Sequence, residues 1–362
     1  MYQSLFLRAL QKNKLETPPI WLMRQAGRYL PEYQLIRRKF KDFLDMCKHP
    51  EICAELVMQP IQRYDLDAAI LFSDILTIPD AFDLGLKFYE GEGPVFERPI
   101  NTVNDISSLC EFDEGKLSYV YRAVEITKEN LSSTIPLIGF CGSPWTLVAY
   151  SIQGRSSKDF KKTKDFISMH PSEVSQLLEK ITSACFLYLK EQVKSGIDAI
   201  QIFDSWADLL DVNQFNEFSL KFTKDLVRML KDDDVTNHVP IILFEKAPPI
   251  EVAKIPFDGL ACMSLHHSNS LNDAKNKLQD KYAIQGNLDP KVLTLSEKEI
   301  TQETEMILDT MTDYPGFIFN LGHGITPNIH PDKIQVMIDT CLLYTSDAAD
   351  EGLGVDLGGR RI

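Results

Sequence analysis

No run in this 362-residue chain approaches the ~20 consecutive apolar residues that a membrane-spanning helix requires, and Met1 to Leu10 carries no basic segment followed by an apolar one. These absences predict a soluble, unexported protein. Positive charge is also short: 38 lysines and arginines face 52 aspartates and glutamates, a net charge of −14. Nucleic acid and anionic membranes both demand an extended basic surface, so neither is expected as a partner. The seven cysteines (Cys47, Cys53, Cys110, Cys141, Cys185, Cys262 and Cys341) are odd in number, scattered, and form no C-x-x-C pair. That argues against a disulfide framework or a zinc ribbon and points to a reducing cytoplasm. No G-x-G-x-x-G follows an early strand-like run, which weakens a nucleotide-binding reading. No charge run, repeat or low-complexity linker marks a second domain.

The chain is 44% hydrophobic, enough to bury a large core. Eight short apolar runs read as strands: Ile20 to Met23, Ala68 to Phe72, Pro136 to Phe140, Ala199 to Phe203, Pro240 to Phe244, Gly259 to Met263, Tyr282 to Ile284 and Gly316 to Asn320. Most are continuous rather than alternating, as strands buried on both faces of a parallel sheet require. Between them, apolar spacings of three and four predict helices over Glu51 to Tyr64, Gly115 to Asn130, Pro171 to Ser195, Val212 to Lys231, Ser270 to Gln279 and Ser296 to Thr312. Eight strands with crossover helices predict an α/β fold, a single (β/α)₈ TIM barrel, with an open doubly wound sheet as the alternative.

Active sites of such barrels form at the carboxyl ends of the strands. Polar residues gather there. Arg24 and Arg28, four residues apart in Arg24-Gln25-Ala26-Gly27-Arg28, follow the first run. Two planar, permanently charged guanidinium groups suit a ligand with several carboxylates or phosphates, and Gly27 lets backbone approach it closely. Ser73-Asp74 follows the second run, Gly142-Ser143-Pro144-Trp145 leading to Tyr150 the third, Asp204-Ser205-Trp206 the fourth and Gly322-His323-Gly324 the eighth. Singly, Asp74 and Ser143 read as helix caps, Tyr150 as a half-buried aromatic and His323 as a turn histidine. Their joint placement at one end of a barrel favours a site.

Six segments carry a resemblance to the uroporphyrinogen decarboxylase family. They are Pro19-Ile20-Trp21-Leu22-Met23-Arg24-Gln25-Ala26-Gly27-Arg28-Tyr29-Leu30-Pro31-Glu32-Tyr33, Phe72-Ser73-Asp74-Ile75-Leu76, Gly139-Phe140-Cys141-Gly142-Ser143-Pro144-Trp145-Thr146-Leu147, Phe203-Asp204-Ser205-Trp206-Ala207, Gln285-Gly286-Asn287-Leu288-Asp289-Pro290 and Asn320-Leu321-Gly322-His323-Gly324-Ile325. They run in order through nearly the whole chain. The resemblance implies a cofactor-free, metal-free carboxy-lyase of haem or chlorophyll synthesis, acting on the four acetates of uroporphyrinogen III to yield coproporphyrinogen III. It further implies a homodimer. By similarity, Arg24 and Arg28 hold substrate carboxylates, Gln25, Ala26 and Gly27 shape the loop, Asp74 accepts from the pyrrole N–H groups, and Tyr150, Ser205 and His323 are further substrate contacts. Asp74, Arg24, Arg28, Tyr150 and His323 are the residues expected to serve catalysis, with His323 and Tyr150 as candidate proton donors. The zinc- and corrinoid-dependent methyltransferases of the same superfamily are a second reading, though Glu245-Lys246 stands where a His-x-Cys pair is wanted; a tetrapyrrole carrier is a third.

Two segments depart from the family pattern. Phe244-Glu245-Lys246-Ala247-Pro248-Pro249 stands where glycines are usual, and prolines lack glycine's backbone freedom. Ser264-Leu265-His266-His267-Ser268 stands where an aspartate is usual, and its histidine pair is expected on a surface loop, without a metal. Cys141 reads as a small buried hydrophobe. From Cys341 the apolar spacing of the final helix, Pro331 to Asp339, gives way to a stretch resembling a translated sequencing adapter. The expected barrel is therefore residues 1–340, with 341–362 a non-native tail.

Overall fold

A computed structural model describes residues 4–89, 93–247, 254–278 and 281–354, with side chains through Tyr344. Among the described residues, nine strands form two sheets. The larger has seven, β1 (Ala69–Ile70), β4 (Leu137–Gly142), β5 (Ala199–Asp204), β6 (Ile241–Glu245), β7 (Cys262–Leu265), β8 (Ala283–Leu288) and β9 (Phe317–Leu321), in that spatial order and parallel throughout. The smaller is an antiparallel hairpin of β2 (Leu86–Tyr89) and β3 (Gly93–Phe96). The large sheet curls into a half-barrel.

Each of the seven large-sheet strands coincides with an apolar run, shifted by up to a few residues, because a strand covered on both faces has no polar side to present. One face carries Ala68, Ile138, Ala199, Ile242, Phe244, Cys262, Ala283 and Ile318, which pack with Trp21, Met23 and the helix Leu5–Leu10 into one buried cluster inside the curl. The alternate residues, such as Ile200, Ile202, Ile241, Leu243, Met263 and Ile284, join the core under the outer helices. Full burial of each such side chain contributes about 1.5–3 kcal/mol.

The first expected strand is the exception. Only Ile20 pairs, through an isolated parallel bridge to Phe319. Its neighbours' ladder bonds are diverted: the Met23 N–H donates to Asn320 Oδ1 at 3.0 Å, and the prolines at 18 and 19 have no N–H to give. On the other side, Ile20 N–H donates to Asp67 Oδ2 and Asp67 N–H to Ile20 carbonyl, both at 2.8 Å.

The helices match expectation with local differences. Pro171–Ser195 stands unchanged, ended by Gly196 at φ 114°, where a residue with a β-carbon is strained. The 115–130 segment begins as a 3₁₀ turn before the helix Ser118–Asn130. The 212–231 segment is interrupted by a π-helical stretch, Phe215–Leu220, which side-chain periodicity does not distinguish from α-helix. Gln279, the expected end of another helix, lies outside the described residues, as do Pro248 and Pro249. The final helix runs unbroken over Pro331–Gly354, past the expected stop at Asp339, and buried Cys341 continues its inner face.

Candidate active site

All seven large-sheet strands are parallel, so their carboxyl ends lie together, and the turns that leave them carry nearly every candidate residue. Arg24 sits in a loop braced from several sides. Ile325 N–H donates to the Met23 carbonyl at 3.0 Å, and Gln25 N–H to the Leu22 carbonyl at 2.9 Å. Gln25 is buried, its Oε1 accepting from Leu22 N–H at 3.1 Å and its Nε2 donating to the Ala68 carbonyl at 3.3 Å. Its side chain is consumed by the backbone, so it shapes the loop from beneath, while Ala26 and Gly27 are half-buried. The bracing holds Arg24 at φ 63°, a left-handed conformation costly for a residue with a β-carbon. Arg28 is exposed at the far end of the loop, and its carbonyl accepts from Gln34 Nε2 at 2.7 Å.

Asp74 follows β1. Its Oδ1 accepts from Leu76 N–H at 2.8 Å, and its carbonyl accepts from Thr77 Oγ1 at 2.9 Å. The carboxyl thus serves the turn itself. Asp74 keeps part of its surface open although protein crowds its carboxyl. Burial pushes its pKa above the usual carboxylate range, opposed by the Leu76 N–H and by the positive charge of Arg24.

Tyr150 lies on the helix Pro144–Gln153, which Ser143 caps by accepting from Thr146 N–H. Its ring meets Trp206 edge-on at 6.1 Å and Phe160 at 5.6 Å. Burial chiefly raises its pKa, so it keeps its proton; Asp74 and Arg24 both act on it electrostatically. Ser205 is held by its N–H, which donates to Thr146 Oγ1 at 3.0 Å; that hydroxyl in turn donates to Asp204 Oδ1 at 2.8 Å. Asp204 is fully buried and also accepts from Ser219.

His323 follows β9. Burial first, then Arg24 and Lys246, push its pKa down to about 4, so near neutral pH it is an uncharged imidazole. The structure thus brings Arg24, Asp74, Tyr150 and His323 into one electrostatic neighbourhood, with Ser205 on the adjoining turn. It places Arg28 at the margin. Among the described residues, no hydrogen bond or ion pair forms at the Arg28 guanidinium.

The histidine pair corrects an expectation. His266 is 7% exposed, not on a surface loop. Its ring stacks on His267 at 3.9 Å and faces His323 edge-on at 6.1 Å, with Phe244 6.4 Å from both His266 and His323. Phe244, from the inner face of β6, draws the two turns together, a long-range packing event that local sequence does not encode. Lys246, also absent from the expected site, directly follows β6, pairs with Asp208 at 2.9 Å and lies 5.5 Å over the Trp206 ring. Its position just past a predicted strand was the signal that could have found it. Cys141 is buried, as expected. Among the described residues, no group of three or more His, Cys, Asp or Glu is arranged to hold a metal, and no helix is long and apolar enough to cross a membrane.

The fold resembles that of a methyltransferase from Methanosarcina mazei, with a TM-score of 0.77 at 17% identity over 95% of this chain and 99% of that one. Sequence relatives are nearer. The uroporphyrinogen decarboxylase of Ruthia magnifica subsp. Calyptogena magnifica is 45% identical over 335 residues, 92% of this chain and 96% of that protein. The uroporphyrinogen decarboxylase of Alcanivorax borkumensis is 44% identical, covering 92% and 95%. The family profile described as uroporphyrinogen decarboxylase matches residues 1–343, and this chain belongs to the uroporphyrinogen decarboxylase family.

Proposed function

We propose that this protein decarboxylates the four acetate side chains of uroporphyrinogen III, giving coproporphyrinogen III and CO₂ in porphyrin synthesis, without metal or cofactor. The observation that carries the reading is Asp74, a half-buried carboxyl at the strand ends with the charge of Arg24 acting on it. Loss of CO₂ from an acetate leaves an electron pair that must flow into the pyrrole ring, which is first protonated at carbon. Asp74 accepts from the pyrrole N–H groups and stabilises the cation formed there, a preorganised electrostatic effect. Substrate N–H donors and Arg24 together hold Asp74 ionised against the burial that otherwise favours its proton.

Arg24 and Arg28 bind substrate carboxylates; Arg24 fixes one acetate near the reacting ring, and Arg28 reaches from the loop margin. Gln25, Ala26 and Gly27 set the loop's shape. Tyr150 donates from its retained phenolic proton, and Ser205 contacts the substrate from the adjoining turn. His323, neutral, cannot hold a standing proton for delivery; it passes one on.

The half-barrel closes to a (β/α)₈ barrel through the Ile20 segment, a reading supported by its bridge to Phe319 and its paired hydrogen bonds with Asp67. Residues 1–340 form that one domain and 341–362 a non-native tail. The protein is a cytoplasmic homodimer.

The test is an anaerobic assay with enzymatically generated uroporphyrinogen, comparing the chain with Asp74→Asn and resolving oxidised products by carboxylate number. Products with seven down to four carboxylates, largely lost in the variant, support the reading. A folded protein that binds the substrate without releasing CO₂ overturns it.

A further inference from the structure

We propose that His266 supplies protons to the decarboxylation site through His323, taking them from solvent by way of Ser268. This rests on the decarboxylase reading. Each turnover breaks one C–COO⁻ bond, sends its electron pair into the protonated ring, releases CO₂ and, once the methylene carbon is protonated and the ring gives back its proton, has formed one net C–H bond. The balance consumes one proton, drawn from water with hydroxide returned to the bulk, and four acetates consume four. Four successive acetates on one substrate call for a repeated proton supply.

The geometry suits that task. His266 leaves the carboxyl end of β7, with Nδ1 accepting from Ser268 N–H at 3.3 Å and bonded to Ser268 Oγ at 2.8 Å. A backbone N–H only donates, so Nδ1 is an acceptor and the neutral ring carries its proton on Nε2. Among the described residues, that Nε2–H has no hydrogen-bond partner, and although the ring is mostly covered the Nε2 atom itself keeps open surface where water can bind. The His323 ring lies 6.1 Å from the His266 ring, centre to centre and perpendicular, and the relay places one hydrogen-bonded water between the two. Ser268 is exposed at the outer end. A proton passes from solvent through Ser268 Oγ to Nδ1 as the Nε2 proton leaves toward His323 and the reacting carbon.

The surroundings keep the relay from trapping its proton. His267, His323 and Lys246 face His266 and, with burial, push its pKa down to about 4; Asp289 alone opposes them. Arg24 and Lys246 do the same at His323. A proton that arrives is passed on.

The experiment measures kcat, KM, pH profile and solvent deuterium isotope effect for the full chain, His266→Gln, His266→Ala and Ser268→Ala under anaerobic conditions with uroporphyrinogen. His266→Gln should lower kcat on the order of 10²-fold with KM within about twofold and raise the solvent isotope effect. Added imidazole should restore part of the His266→Ala rate. Ser268→Ala, at an exposed position, keeps the fold and should raise the isotope effect with a smaller loss of kcat. Unchanged kcat and isotope effect in folded His266→Gln overturn the relay, as does a loss confined to KM. Should the His266 variants fail to fold, an unchanged isotope effect in Ser268→Ala overturns it alone. An unmodified chain that releases no CO₂ overturns the decarboxylase reading itself, and the relay with it.

Discussion

The side chain of Arg24 lies across the α-carbon of Gly324: a β-carbon there would stand 2.8 Å from both Cγ and Nε of Arg24. The turn after β9 thus sets where the first arginine can point, and His323 beside it feels that charge. Gly324→Ala leaves the backbone undisturbed, because the obstructed atoms belong to a flexible side chain, but moves the guanidinium off its course. Decarboxylation should fall on the order of 10²-fold with the far-ultraviolet spectrum unchanged. Full activity in that variant would separate Arg24 placement from the reaction.

Arg24 is held at φ 63° by bonds that its own side chain does not make. Arg24→Gly and Arg24→Ala remove the same guanidinium, yet only glycine relieves the backbone. The glycine variant should be the more stable by about 1 kcal/mol in chemical denaturation, both being inactive. Equal stabilities would mean that the conformation carries no strain.

Asp74→Asn keeps the shape and loses the charge. Product formation should drop on the order of 10³-fold while substrate still binds, since the arginines hold the carboxylates. Anaerobic single-turnover and binding measurements distinguish the two effects.

Glu245 is 2% exposed, neither carboxyl oxygen has a hydrogen-bond partner among the described residues, and it lies beside Asp204 in register across β5 and β6. Burial, then Asp204 and Asp208, raise its pKa well above the usual carboxylate range. The folded state holds a proton that the unfolded chain releases above its ordinary pKa near 4.5, so this group costs stability increasingly as pH rises from there. Glu245→Gln should therefore melt higher than the parent at neutral pH, with the advantage shrinking as pH falls toward 4.5. Thermal melts across that range check it; a variant less stable at neutral pH refutes it.

His266 and His323 have the opposite sign. Both are depressed from 6.5 to about 4, so the unfolded chain takes up protons first on acidification. The stability they contribute is present above pH 6.5 and is lost as pH falls toward 4. The double variant His266→Gln, His323→Gln should flatten that part of the stability profile, measured as melting temperature against pH.

The large-sheet strands were legible because strands buried on both faces are largely apolar along their whole length, a pattern most of the runs show without reference to the rest of the chain, Gln201 and Asn320 being polar exceptions. The hairpin of β2 and β3 was not, because its short strands are mostly only half-buried and carry no such run. Likewise strand order gathered Arg24, Asp74, Tyr150 and His323, with other polar residues, near one end, since parallel strands carry their exits together, and the family resemblance singled them out.

Chain order, then, dictated which residues meet at the carboxyl ends, because hydrophobic patterning orders the strands. Packing decided what each residue is in that place. Gln25 turned inward to bind backbone, and Arg24 was forced into a left-handed turn over Gly324. His266 was drawn from an expected surface position to a buried one against Phe244 and His323. Burial, hydrogen-bond partners and pKa depend on neighbours from distant segments, and those neighbours exist only once the sheet has curled.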